Sequence, residues 1–365
     1  MNPVPDDILK EANEAAIYNM YLYLAHITTP DKNTTLQSIV ADLESDLKKR
    51  ATYAWKSRDI YRLNILINAV KNHPFLANSK INNLTVSRSG LTACSFTNQN
   101  GNIFVAFRGT GKGEWIDNGE GLSGVPEENT YKTYEKSGIE LLGKKIKLDY
   151  ATEQQVEALN WFCSIAAKDR WSKDTNITLT GHSKGGNKAQ FIAIHSDLVD
   201  DCYSFDGQGF SPEALASFKI QHGAKFEIRR QNIYSFSSDN DYINVLGIRL
   251  VPQNQIYYFK SHLDFHYLES MLNINGRFNR QCEQGELSRY VETVSEKLMR
   301  MDPSIRKYAT LGVMNIFQKF LGKGVPVNGD KVSIEQTIIG LGIAIDLLLR
   351  RFYESGYSSR NFTQK

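Results

Sequence analysis

The segment Ile177-Thr-Leu-Thr-Gly-His-Ser-Lys-Gly-Gly-Asn-Lys-Ala189 constrains this chain more than any other stretch. A short β-branched run leads into Gly181-His182-Ser183-Lys184-Gly185, and residues of helical character follow. In that setting G-x-S-x-G is a nucleophile elbow, a sharp strand-to-helix turn that lifts Ser183 above a sheet. Its glycines have a physical task. The chain packs too closely for a Cβ at Gly181 or Gly185, and the helix starting there points its N–H groups at the turn. Because short Gly/Ser patterns also arise by chance in loops, the rest of the chain has to supply the context.

Residues 6 to 73 read as helical. Leu36, Ile39, Val40, Leu43 and Leu47 recur at helical spacing behind Thr34 or Thr35 as N-cap, and a second helix is expected from about Trp55 to Val70, before His73-Pro74. From Leu84 the period becomes that of strands. Residues 84–87, 91–97 and the apolar run Ile103-Phe-Val-Ala-Phe107 fit, with Asn98-Gln-Asn-Gly-Asn102 as the turn between the last two. Next come Arg108-Gly109-Thr110 and a stretch with glycines at 111, 113, 119, 121 and 124, which predicts a mobile loop without a regular element. Residues 131 to 170 are expected to be helical, most strongly Thr152 to Lys168.

Further strands are expected at 177–180, 202–205, 232–237 and 255–260, alternating with helices. That alternation predicts an α/β class with a mostly parallel central sheet. Beyond about Glu286 the strand signal ends, and helices are expected near 286–301, 304–321 and 332–353. The resulting division is a helical segment over 1–80, an α/β core over 81–280 and a helical region over 281–365. The apolar run Ile338 to Leu349 contains Asp346 and is shorter than the roughly 20 residues a bilayer span needs. It reads as a buried helix of the tail, with an interfacial membrane segment as the alternative.

A length of 365 residues with 41% hydrophobic content can bury one large core, or a core with an accessory domain. The formal charge of +3 arises from 43 basic and 40 acidic residues, so nothing calls for nucleic acid as a partner. A local basic face toward a membrane surface stays open. Cys94, Cys163, Cys202 and Cys282 lie far apart, which argues against a zinc site or a disulfide scaffold and for free, mostly buried thiols. Met1 to Lys10 lacks the pattern of a secretory leader. The expectation is a cytoplasmic protein, or one exported without a signal peptide, with no transmembrane helix.

A serine hydroxyl becomes a nucleophile only when a base takes its proton, so Ser183 needs a histidine and an orienting carboxylate. In hydrolases with this elbow the order along the chain is Ser, Asp or Glu, then His. Here Ser238-Asp239-Asn240-Asp241 follows one expected strand and Ser261-His262-Leu263-Asp264-Phe265-His266 the next. Asp241 is the favoured acid because the apolar run behind it can anchor the turn, with Asp239 the alternate and Asp206 a third choice. His266 is the favoured base and His262 the alternate. An oxyanion needs two N–H donors, expected from the backbone of Lys184 and from Thr110. Arg108 is expected to be an inward structural clamp. No metal or organic cofactor is required: Gly138 to Lys145 imitates a P-loop, but Lys145 replaces its Ser/Thr, and Asp239-x-Asp241 lacks the later residues of a calcium loop.

Phe107-Arg-Gly-Thr110 followed by Gly-His-Ser-x-Gly-Gly-Asn187 resembles the class 3 lipases, and Gly-His-Ser-Lys-Gly-Gly-Asn with Tyr203-Ser-Phe-Asp-Gly-Gln-Gly-Phe210 is similar to a bacterial branch of lipase-like α/β-hydrolases. The resemblance covers about residues 55 to 275. It implies an α/β-hydrolase fold and a Ser/Asp/His esterase acting on lipid esters, with Ser183, Asp241 and His266 in the matching positions and Thr110 in the oxyanion position. Lys184 departs from the Leu common in many lipases, though the bacterial branch has Lys. Phospholipid or acylglycerol esters are the expected substrates, with Trp115 and Leu122 lining an acyl site or lid. Two rival readings are a binding or scaffold protein without turnover, whose C-terminal helices dock a protein partner, and a thioesterase or peptidase using the same three residues.

Overall fold

The computed structural model describes residues 2–24, 34–49, 56–111, 114–124, 139–141, 144–146, 148–262 and 265–321, together with 338, 342 and 345. The helices among them are α1 (Asp6–Tyr21), α2 (Leu36–Lys49), α3 (Ser57–Asn72), α4 (Pro74–Ala77), α5 (Trp115–Ser123), α6 (Glu153–Lys168), α7 (Lys184–His195), α8 (Pro212–His222), α9 (Ala224–Arg230), α10 (Glu286–Met299) and α11 (Pro303–Leu321). The strands are β1 (Lys80–Val86), β2 (Thr92–Thr97), β3 (Ile103–Phe107), β4 (Ile139–Leu141), β5 (Lys144–Ile146), β6 (Ile177–His182), β7 (Asp201–Phe205), β8 (Ile233–Ser238), β9 (Ile256–Phe259) and β10 (Gln281–Cys282).

Eight strands form one sheet in the order β1-β2-β3-β6-β7-β8-β9-β10. Strands β3, β6, β7, β8 and β9 run parallel, with antiparallel neighbours at both edges. The register sets Phe107 beside Gly181, His182 beside Phe205 and Ser238 beside Phe259, so the segments leaving five parallel strands emerge at one edge. Open parallel sheets build their sites at that carboxyl edge.

Alternation along each strand divides two cores. Phe104 and Ala106 join Phe96, Tyr203, Phe205, Phe236 and Phe259 beneath α1, α2 and α3. Val105 and Phe107 join Leu179, Ile177 and Ile233 beneath α6, α7 and α8. Burial on both faces explains why β3 reads as an unbroken apolar run. Thr152, the first residue of the strongest helical expectation, is the N-cap of α6 and closes a reciprocal capping box with Gln155.

Three expectations need correction. The glycine-rich stretch after Thr110 contains a regular helix, α5, held by buried ion pairs that its composition does not reveal. Residues 139–141 and 144–146, expected to be helical, pair as the antiparallel strands β4 and β5, where Ile139 faces Ile146 across the ladder. Strand pairing there also removes any resemblance to the strand-loop-helix of a P-loop. Finally, the side chain of Arg108 makes no hydrogen bond or ion pair among the described residues; the phenol of Tyr23 holds the backbone at that point instead. The expected helix at 332–353 and most of the apolar run Ile338 to Leu349 lie outside the described residues. No described helix is long and apolar enough to cross a membrane.

Candidate active site

Ser183 joins β6 to α7 with φ 59° and ψ −126°, a conformation that persists only where the surroundings enforce it. Enforcement comes from close packing: a Cβ on Gly181 would collide with the backbone of Gly185, and one on Gly185 with the carbonyl of Phe107 in β3. The Ser183 N–H donates to the Phe205 carbonyl at 2.9 Å, tying the elbow to β7. The residue is 8% exposed.

Asp241 lies in the turn after β8 and is fully buried. Its Oδ2 accepts the N–H groups of Ile243 (3.0 Å) and Asn244 (2.6 Å), the apolar run behind it serving as the anchor. The other oxygen, Oδ1, is 2.7 Å from His266 Nδ1. On its far side the imidazole brings Nε2 to 2.8 Å from Ser183 Oγ. A carboxylate only accepts, so the proton of His266 resides on Nδ1, and Nε2 is left to accept from the serine hydroxyl. Three residues separated by up to 83 positions thus form one hydrogen-bonded line.

The competing residues are held elsewhere. Asp239 accepts from Lys260 Nζ at 2.7 Å and from the Ser261 hydroxyl at 2.6 Å. Burial works against its ionised form, but these partners outweigh it and keep the carboxyl below its ordinary value. His262 is exposed and bonds Tyr61 Oη at 2.8 Å. Asp206, at the end of β7, takes the Ser238 N–H at 2.9 Å. Burial, then the nearby Asp241, raises its pKa well above the usual carboxylate range.

Thr110 lies on the segment leaving β3. Its Oγ1 accepts from Asn118 Nδ2 at 3.0 Å, and its own N–H has no partner among the described residues. Lys184 stands at the first turn of α7, where backbone N–H groups lack an intrahelical acceptor. Its side chain turns away and forms a buried ion pair with Asp117 of α5 at 2.5 Å. Trp115 is half-buried at the start of α5, whereas Leu122 is buried near its end, against the position a Cβ would take on Gly247.

Several contributors were invisible in the sequence. The Tyr23 hydroxyl accepts the Gly109 N–H at 2.8 Å and lies 2.7 Å from His182 Nδ1. His182 Nε2 and Asp206 Oδ2, both buried, face each other at 3.7 Å. Arg58 covers the ring of Tyr267 at 3.4 Å, and Arg62 pairs with buried Glu269 at 3.0 Å, so α3 braces the segment that carries His266. None of these pairings leaves a local signal, because each joins residues at least 24 positions apart and most of them more than 150. Among the described residues, one His/Cys/Asp/Glu group could offer ligands to a metal: His182, Asp206 and His266, within 4.8 Å of one another. Both nitrogens of His266 are already engaged by Asp241 and Ser183.

The parallel sheet, the elbow and the Ser183–His266–Asp241 line at the carboxyl edge define an α/β-hydrolase fold. Over residues 141–230 the sequence matches the family model described as Mbeg1-like. No curated protein matches it. Among solved structures the chain is similar to Lip2 lipase from Yarrowia lipolytica, with 10% identity, coverage of 78% of this chain and 91% of that one, and a TM-score of 0.42. It is also similar to lipase II from Rhizopus niveus (10% identity, 77% and 97% coverage, TM-score 0.38) and to M37 lipase (14% identity, 67% and 70% coverage, TM-score 0.34).

Proposed function

We propose that this chain is a serine hydrolase that cleaves carboxylic esters of lipids through an acyl-enzyme. The observation that carries the reading is the pair of hydrogen bonds from His266, one to Asp241 and one to Ser183. In this reading His266 Nε2 takes the proton as Ser183 Oγ attacks the ester carbonyl, and returns it to the leaving alcohol. Asp241 holds the imidazole in the required tautomer and stabilises the imidazolium. The N–H groups of Lys184 and Thr110 receive the negative charge on the carbonyl oxygen. Water then attacks the acyl-enzyme, with His266 again acting as base.

Lipid esters, phospholipid or acylglycerol, are supported by the Phe-Arg-Gly-Thr and Gly-His-Ser-Lys-Gly-Gly-Asn motifs. Trp115 lines the acyl site in this reading, and the substrate is met at a membrane surface. Ser183→Ala tests the mechanism: hydrolysis of a short p-nitrophenyl ester should vanish while the far-UV circular dichroism is unchanged. Turnover retained by that variant would defeat the proposal. Failure of a fluorophosphonate to label Ser183 in folded wild-type protein would favour a scaffold without turnover. Mass-spectrometric product analysis after incubation with mixed phospholipids and neutral lipids identifies the headgroup and the acyl position.

A further inference from the structure

Thr110 is framed by two anchored neighbours. On one side the Gly109 N–H is held by the Tyr23 hydroxyl at 2.8 Å. On the other, the Gly111 N–H is bonded to Glu114 Oε2, while Glu114 Oε1 is bonded to Lys188 Nζ. Glu114 and Lys188 are both completely buried. Lys188 lies on the elbow helix α7, one turn beyond Lys184, so Glu114 connects the segment that carries Thr110 to the helix that starts at Ser183. The Thr110 hydroxyl is fixed by Asn118, which leaves its N–H, among the described residues, as the unpartnered group between two satisfied ones. A buried charge pair of this kind contributes little net stability compared with apolar residues of equal volume. What it supplies is geometry: two oxygens with one fixed separation, one on the backbone and one on the elbow helix.

We infer that Glu114 is a positioning residue for the oxyanion donor at Thr110, with Lys188 neutralising its charge and Tyr23 supplying the matching anchor on the other side. α5 is thereby a fixed wall of the site and not a lid. This inference rests on the esterase reading above. Donors of this type act through preorganisation, and a shift of about 1 Å costs up to about 100-fold in rate.

Two charge-neutral double variants isolate the acceptor. Glu114→Gln/Lys188→Met removes both charges and keeps a carbonyl oxygen for the Gly111 N–H; Glu114→Ala/Lys188→Met removes the charges and that oxygen. On a short p-nitrophenyl ester the Gln variant should exceed the Ala variant by at least about tenfold in kcat, with KM equal within about twofold. Tyr23→Phe deletes the opposite anchor by a single oxygen and should lower kcat by about tenfold at unchanged KM. Should the Ala variant fail to fold, Tyr23→Phe decides alone. Equal kcat in the two double variants, wild-type kcat in Tyr23→Phe, or losses that fall on KM would overturn the inference. The underlying esterase reading fails differently, with wild-type protein that neither hydrolyses the ester nor accepts a fluorophosphonate.

Discussion

His182 lies against His266, their ring centroids 5.1 Å apart and their planes inclined by 32°. Two imidazoles so close do not both carry charge at moderate cost. Burial first, then the proximity of His266, lowers the pKa of His182 well below the ordinary histidine value. His182 is therefore held neutral, and Asp241 bonds His266 and not His182. The contact explains why two histidines share one site without competing for one role.

The same geometry separates Asp241 and His266, the proposed acid and base, from their sequence neighbours. Asp241→Asn and His266→Ala should each reduce kcat on an activated ester by about 10³- to 10⁴-fold. Asp239→Asn and His262→Ala, whose side chains bond Lys260 and Tyr61, should stay within about threefold of wild type. Steady-state kinetics on the four purified variants checks this. Equal losses at Asp239 and Asp241 would contradict it.

Breaking the buried pair between Lys184 and Asp117 is expected to be costly. Asp117 also accepts the Thr152 hydroxyl at 2.8 Å and the Gln154 N–H at 3.0 Å, so its carboxylate joins α5, α6 and the elbow helix. Asp117→Ala leaves a buried ammonium without its partner and should cost about 3–5 kcal/mol. Asp117→Asn/Lys184→Met removes both charges and should recover more than half of that loss. Urea unfolding of the three proteins at one pH measures the difference.

Stability should depend on pH from two directions. Burial, then Glu11 and Asp200, raises the pKa of Asp201 to about 7. Between the ordinary value of about 4 and this raised value the folded chain keeps a proton that the unfolded chain has lost. The contribution is whole at acid pH and is lost as pH rises through about 7. Asp201→Asn should leave the urea midpoint unchanged near pH 4 and add on the order of 1–3 kcal/mol at pH 8. His195 acts in the opposite sense, since burial, then His222, lowers its pKa to about 3. Its contribution is present above about pH 6.5 and is lost as pH falls through about 3. His195→Phe, which preserves the ring packing against Phe191 and Phe218, should flatten the acid-side decline.

Much of the sheet was legible because its strands announce themselves locally. Ile103–Phe107 and Ile177–Thr180 are β-branched or aromatic runs bounded by Gly and Asn, and they appear as adjacent parallel strands. Ser183 was legible because an elbow cannot form without its glycines. Asp241 was preferred to Asp239 for the apolar run that can anchor its turn, and it is Asp241 that bonds His266; the engagement of Asp239 by Lys260 and Ser261 is a contact between strands that the sequence does not display. Helix α5 was not legible at all. Its glycines weaken helical propensity, and the partners that hold it, Lys184 and Lys188, lie some 70 residues away in the sequence. Tyr23 carries no local mark, being one tyrosine among several at the end of α1.

The close approach of Gly185 to the Phe107 carbonyl, which leaves no room for a Cβ, has a consequence for the order in which the molecule assembles. The elbow is shaped by a strand that ends 76 residues before Ser183, and a hydrogen bond from Ser183 to Phe205 closes it from the opposite side. Contacts of such long range form only after loop closure has been paid for in entropy, and they form slowly. A chain that has made helix α7 but not yet laid β3 beside β6 lacks the wall on the β3 side that holds Ser183 at positive φ. During refolding, helical signal should therefore return before Ser183 becomes reactive, and the interval between the two would time the docking of β3.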